Sequence, residues 1–170
     1  MSGEGYVPLA TSGGAGDYTF GSIPSGYDAL ILRGQGQSGE GVFNQQVGLR
    51  CNADTGSNYR SYEYLIPDYV PVDHTVSAGS DTSGKLVYCG GTYLGDWPSF
   101  FETTIVGYDD TNRYTTWRTV MGSSGGNGGY GGAGFNGGLW QSTVAVTSIT
   151  TVLGNWTAAY TNLTLYGRKG

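Results

Sequence analysis

A single histidine, His74, is available for acid–base or metal chemistry, and it stands in Pro71-Val-Asp-His-Thr with no nucleophile-elbow pattern beside it. Zinc needs a compact set of nitrogen and sulfur ligands. One histidine and two distant cysteines, Cys51 and Cys89, do not make a recognisable one. His74 therefore reads as a solvated turn residue. Gly126, Gly128 and Gly131 spell G-x-G-x-x-G, but that motif holds a pyrophosphate only between a strand and a helix N-terminus. Here it lies in a glycine-saturated stretch that runs into a Thr/Val segment, so it reads as a chance match. The acidic residues offer many pairs for glycosidase chemistry. Asp28, Asp54, Asp81, Asp96, Asp109 and Asp110 all sit at turn signals, which accounts for most of them. Asn52-Ala-Asp-Thr-Gly-Ser-Asn58 has oxygens that could serve calcium, and is better read as an Asx-rich turn. The expectation is a protein that is not an enzyme, with no catalytic residue, no metal and no cofactor.

Aromatic side chains are the richer resource. Tyr88, Tyr93, Trp97, Phe100 and Phe101 crowd one region, and Tyr108, Tyr114 and Trp117 follow it. Rows of such rings could stack sugars, but core and subunit interface are the favoured reading.

The elements that must position these residues are strands. Helix is nearly excluded, because the longest stretches free of Gly and Pro are loaded with Thr, Val, Tyr and Trp. Strand patterns fall at Tyr18–Ile23, Tyr27–Gly36, Gln45–Asn52, Tyr59–Ile66, Lys85–Cys89, Phe100–Tyr108, Arg113–Met121, Leu139–Leu153 (two strands or one bulged strand) and Tyr160–Tyr166. Asp109-Asp110-Thr111-Asn112 reads as a hairpin turn. At 170 residues the chain is one domain, large enough to bury roughly 70% of its unfolded surface. Residues 17–170 are expected to form an all-β, antiparallel β-sandwich or jelly roll of about 8–9 strands, with its early and final strands placing the termini near one another.

Two segments stand outside that pattern. Residues 1–16 read as a flexible, extended N-terminal arm whose apolar cluster is Tyr6-Val7-Pro8-Leu9-Ala10. Residues 122–138 read as a Gly-rich loop with Tyr130 and Phe135 as its aromatics. Ordering that loop costs on the order of 20 kcal/mol at ~1–2 kcal/mol per residue, so a neighbouring subunit or partner is expected to cover it at Tyr130 and Phe135. Cys51 and Cys89 read as buried reduced thiols, one inter-strand bridge being the alternative. A net charge of -5, with basic residues scattered, argues against nucleic acid. No apolar run is long enough for a membrane helix, and no secretory pattern opens the sequence.

Ser22-Ile-Pro-Ser-Gly-Tyr-Asp-Ala-Leu-Ile-Leu-Arg-Gly34, Leu49-Arg-Cys-Asn-Ala-Asp-Thr-Gly-Ser-Asn-Tyr59, Val146-Thr-Ser-Ile-Thr150 and Leu163-Thr-Leu-Tyr-Gly167, in that order, resemble a jelly-roll-like structural module of tailed bacteriophages. The resemblance spans about Tyr18 to Gly167. It implies a commonly oligomeric domain of capsid decoration proteins or of tail-fibre and receptor-binding heads, without a shared catalytic set. A single domain lacking a long shaft favours decoration: a cement protein, a homotrimer, binding the major capsid protein on the outer capsid surface and stabilising the assembled shell. Tyr6, Val7, Pro8 and Leu9 are then the capsid-binding arm. The protein would be made in the host cytoplasm and reside in the virion. The alternative is a receptor- or carbohydrate-binding head of a tail fibre, with carbohydrate as its partner.

Overall fold

The computed structural model describes residues 5–37, 45–67, 73–89, 98–123, 132–153 and 161–170. Among the described residues there is no helix. The strands are β1 (Gly5–Gly13), β2 (Tyr18–Phe20), β3 (Ala29–Gly36), β4 (Gln45–Cys51), β5 (Tyr59–Pro67), β6 (Asp73–Asp81), β7 (Gly84–Cys89), β8 (Ser99–Val106), β9 (Thr115–Ser123), β10 (Gly132–Trp140), β11 (Ile149–Val152) and β12 (Asn162–Lys169). They form an all-β sandwich. A large eight-stranded sheet has the order β1-β12-β3-β8-β9-β10-β5-β6, and a small four-stranded sheet the order β2-β11-β4-β7.

The antiparallel pairings are nested. β5 pairs with β6, β4 with β7, β3 with β8, β2 with β11 and β1 with β12, as though one long two-stranded ribbon had been rolled up. β9 and β10 enlarge the large sheet between β8 and β5. The outermost pair sets Gly5 opposite Lys169, which brings the two ends together as expected.

Period-two alternation fills the space between the sheets. Leu30 and Leu32 of β3, Ile105 of β8, Trp117 of β9 and Leu165 of β12 meet Val47, Leu49 and Ile149 of the small sheet in one buried cluster. Trp117 is the largest of these side chains, and glycines make room for it. Its indole lies where a Cβ on Gly84 or Gly138 would fall, and its Nε1 donates to the Lys85 carbonyl at 3.2 Å. Beside it runs a buried polar row of Glu63, Asn136, Thr119 and Thr103, in which Thr103 and Thr119 share a 2.9 Å hydrogen bond.

Several expectations need correction. Residues 5–13 of the expected arm are a strand, because the edge of β12 offers them a ladder and Leu9 and Ala10 pack against the core. Pro8 lies opposite Tyr166 in this edge strand, and the register shifts between Pro8 and Ala10. Gly132 to Gly138 of the expected loop belong to β10, paired on both sides to β5 and β9, and the loop's first residues, Gly122 and Ser123, end β9. The entropy estimate omitted those two ladders and the indole that the glycines accommodate. Residues 124–131, which include Tyr130 and the G-x-G-x-x-G motif, lie outside the described residues. The His74 turn is instead part of β6, with His74 opposite Tyr64 in register. Leu139–Leu153 is not one bulged strand but parts of two: β10 ends at Trp140, an irregular segment follows, and β11 begins at Ile149.

Candidate binding face

On the outer face of the large sheet the alternation leaves apolar side chains uncovered. Tyr62 and Tyr64 of β5, Phe135 of β10, Val120 of β9, and Phe100 and Val106 of β8 are 40% (Val106) to 63% (Phe100) exposed. Tyr64, Phe135 and Val120 face one another in register across three adjacent strands, ~4.8 Å apart. Gly137 separates Tyr62 from Arg118 in the next row. Isolated apolar exposure is ordinary; a contiguous patch on one face marks a contact surface. Of the two residues assigned to the Gly-rich loop, Phe135 is thus at the centre of this face.

The same face continues onto β3 and β12 as an open cleft of about 480 Å³ lined by Arg33, Gln35, Phe100, Glu102, Val120, Asn162 and Thr164 among others. Arg33 is held from three sides. Its Nε donates to Glu102 Oε2 at 2.7 Å, and its guanidinium carbon lies 5.0 Å from the Tyr6 ring centroid and 5.4 Å from that of Tyr166. The Glu102 hydrogen bond raises the Arg33 pKa above its ordinary value, against a smaller opposing effect of burial. Tyr6 and Tyr166 meet edge to face at 6.3 Å. Of the four residues assigned to a capsid-binding arm, Tyr6 therefore braces Arg33, Leu9 packs against the core, and Val7 and Pro8 remain exposed on the edge strand.

The Asn52–Asn58 segment is a staple rather than a cradle for calcium. Asp54 Oδ1 accepts from the Gly56 N–H at 2.7 Å, while Oδ2 accepts from Asn58 Nδ2 at 2.9 Å and Trp140 Nε1 at 2.6 Å. Those bonds, Trp140's foremost, hold the carboxyl below its ordinary pKa despite partial burial. Asn52 Oδ1 accepts from the Thr147 and Ser148 N–H groups at 2.8 and 3.1 Å, which fixes the irregular segment before β11. Asn52 and Ala53 both have positive φ, 52° and 55°, and the Asp54 N–H donates to the Cys51 carbonyl at 2.9 Å, the geometry of a type I′ turn. A second lock joins the turn before β3 to the end of β8. The Tyr108 hydroxyl donates to the Pro24 carbonyl at 2.9 Å and accepts from the Tyr27 N–H at 3.1 Å. Tyr108 was visible in the sequence only as one of a group of aromatics; nothing local signalled its role as a lock.

Cys51 is a buried free thiol, and burial foremost, then nearby Asp54, pushes its pKa up to about 12. The β4–β7 register places Cys89 opposite Gln45, at the far end of β4 from Cys51 and ~20 Å away at ~3.3 Å per residue. A bridge between them is ruled out by that spacing. Iodoacetamide at pH 8 should leave Cys51 unmodified in the folded protein, as read by peptide mass mapping, and label it after denaturation. Labelling of Cys51 at the rate of a free peptide thiol under native conditions would contradict this.

No protein-family model, curated protein or solved structure matches this chain.

Proposed function

We propose that this protein is a non-catalytic adhesion module of a tailed-bacteriophage virion: a head decoration protein, trimeric, that binds the major capsid protein on the outer capsid surface and stabilises the assembled shell. The observation that carries the reading is the uncovered aromatic face of the large sheet, Tyr62, Tyr64, Val120 and Phe135. A flat, strand-built apolar surface is suited to meeting another flat protein surface, with most binding energy placed in a few aromatic anchors. The nested pairing supports the jelly-roll form of the sandwich, since a rolled two-stranded ribbon is how that fold is wound. With β1 laid on its own sheet, adhesion is assigned to the sheet face instead of the N-terminal segment. The mechanism is mass action: a ligand that binds only the assembled shell favours it over its parts.

The test is to mix the protein with shells assembled from the major capsid protein alone and follow co-sedimentation and shell melting. Binding with a raised shell melting temperature is expected. At ~2 kcal/mol or more per anchor, the Tyr62→Ala/Phe135→Ala variant should bind about 1,000-fold more weakly while keeping its own Tm. Absence of co-sedimentation of the unaltered protein would overturn the proposal.

A further inference from the structure

The cleft at the β3–β8–β12 end of the sheet has a different character from the aromatic rows on β5 and β10. Among the described residues Phe100 is the most exposed of the large apolar side chains, at 63%, and its ring lies over the backbone of Gly122. A Cβ on Gly122 would come within 2.6 Å of the ring's Cζ, so glycine at this position is what lets the ring rest on the sheet with its other side toward solvent. Gln35 stands opposite Phe100 in register, and Asn162 opposite Gln35. Both amide side chains are exposed and make no side-chain hydrogen bond among the described residues. Arg33, Glu102 and Thr164 complete the wall, with Arg33 held by two tyrosine rings and the Glu102 carboxylate.

We infer that this cleft is a saccharide-binding site, with Phe100 as the stacking platform and Gln35, Asn162 and the Arg33–Glu102 pair as the hydroxyl-reading groups. A pyranose has an apolar C–H face and a rim of hydroxyls, each both donor and acceptor. The complementary site is an open aromatic ring bordered by amides and by a paired donor and acceptor, which is what these five residues present. The volume, about 480 Å³, falls within the ~300–1,000 Å³ of small-ligand sites. Charge selects among ligands that could stack on a ring. Arg33 is already neutralised by Glu102, and the chain carries a net charge of -5, so a neutral sugar fits where a nucleotide's phosphate does not. The braced guanidinium adds preorganisation, because its rotamer is fixed before a ligand arrives. The inference concerns residues outside the Tyr62/Phe135 anchors, and it stands or falls independently of capsid binding.

The experiment uses the full chain on an array of bacterial-surface and animal oligosaccharides, followed by NMR titration with the methyl glycosides of the sugars retained. Retention of at least one neutral sugar class is expected. Phe100→Ala should weaken it about tenfold or more, since loss of the stacking face removes over a kcal/mol. Gln35→Ala should weaken it severalfold, and Tyr62→Ala should leave it unchanged. Gln35→Ala keeps the test decisive should Phe100→Ala fold poorly. The inference is overturned if no sugar is retained at millimolar concentration, if Phe100→Ala and Gln35→Ala bind like the unaltered protein, or if Tyr62→Ala alone abolishes binding.

Discussion

Gly138→Ala lowers stability by about 3 kcal/mol, a fall in Tm of roughly 6–12 °C for a domain of this size. The added Cβ would sit 2.5 Å from Trp117 Cε2 and 2.6 Å from the Arg60 carbonyl oxygen. The indole cannot retreat, because Gly84 of the opposite sheet confines it on another side and its Nε1 is tied to the Lys85 carbonyl. Nor can the carbonyl, which belongs to the strand paired with β10. Overpacking of this kind is relieved only by shifting backbone or ring. Gly137→Ala is the control: its Cβ meets only the Trp117 carbonyl oxygen, at 3.6 Å, and replacing a strand glycine with alanine is there neutral or favourable by ~0.5–1 kcal/mol. Thermal and urea unfolding of the two variants give the comparison. Equal stabilities would remove the packing explanation for the glycines of β10.

Asp54→Ala is the second large loss, about 3 kcal/mol at pH 7. It deletes an ionised acceptor of three hydrogen bonds and leaves the Trp140 indole N–H unpaired in a buried residue. Asp54→Asn keeps an acceptor oxygen without the charge and should fall between. The pH dependence follows from the lowered folded-state pKa of Asp54. Its contribution is fully present above the unfolded value of ~3.9 and is lost as pH falls through the lower folded value. The stability gap between the unaltered protein and Asp54→Ala should therefore be constant from pH 7 to about 5 and narrow below about pH 4. Melting curves at pH 7, 5 and 3 read this directly; a gap that widened on acidification would reverse the assigned sign.

What could be seen in the sequence was what neighbouring residues decide. The apolar run after Ser25-Gly26 announced β3, and the Leu163-Thr-Leu-Tyr-Gly167 alternation announced β12. The Asx character of Asn52–Asn58 was legible too, since Asp54 and Asn58 satisfy each other within four residues. β10 was not. Glycine has poor strand propensity, and the reasons it is tolerated, an indole from β9 and ladders to β5 and β9, lie elsewhere in the chain. β1 failed to register for the same reason: its partner is the last strand, about 150 residues or more away. The exposed aromatic face shared that fate in part. The sequence showed Phe100 only within a crowd of aromatics; the strand order alone tells which side of the large sheet the small sheet leaves bare.

The edge made by β1 has a consequence for how copies of this molecule can meet. A chain so rich in Thr, Val and Tyr would, with a flat open border, template the growth of cross-β fibres. Pro8 lacks the amide hydrogen that a further strand would need, and the shift in register beside it bends the border out of line. Along that side, polymerisation by ribbon extension is blocked, and copies can crowd together at high local concentration without zipping into filaments there.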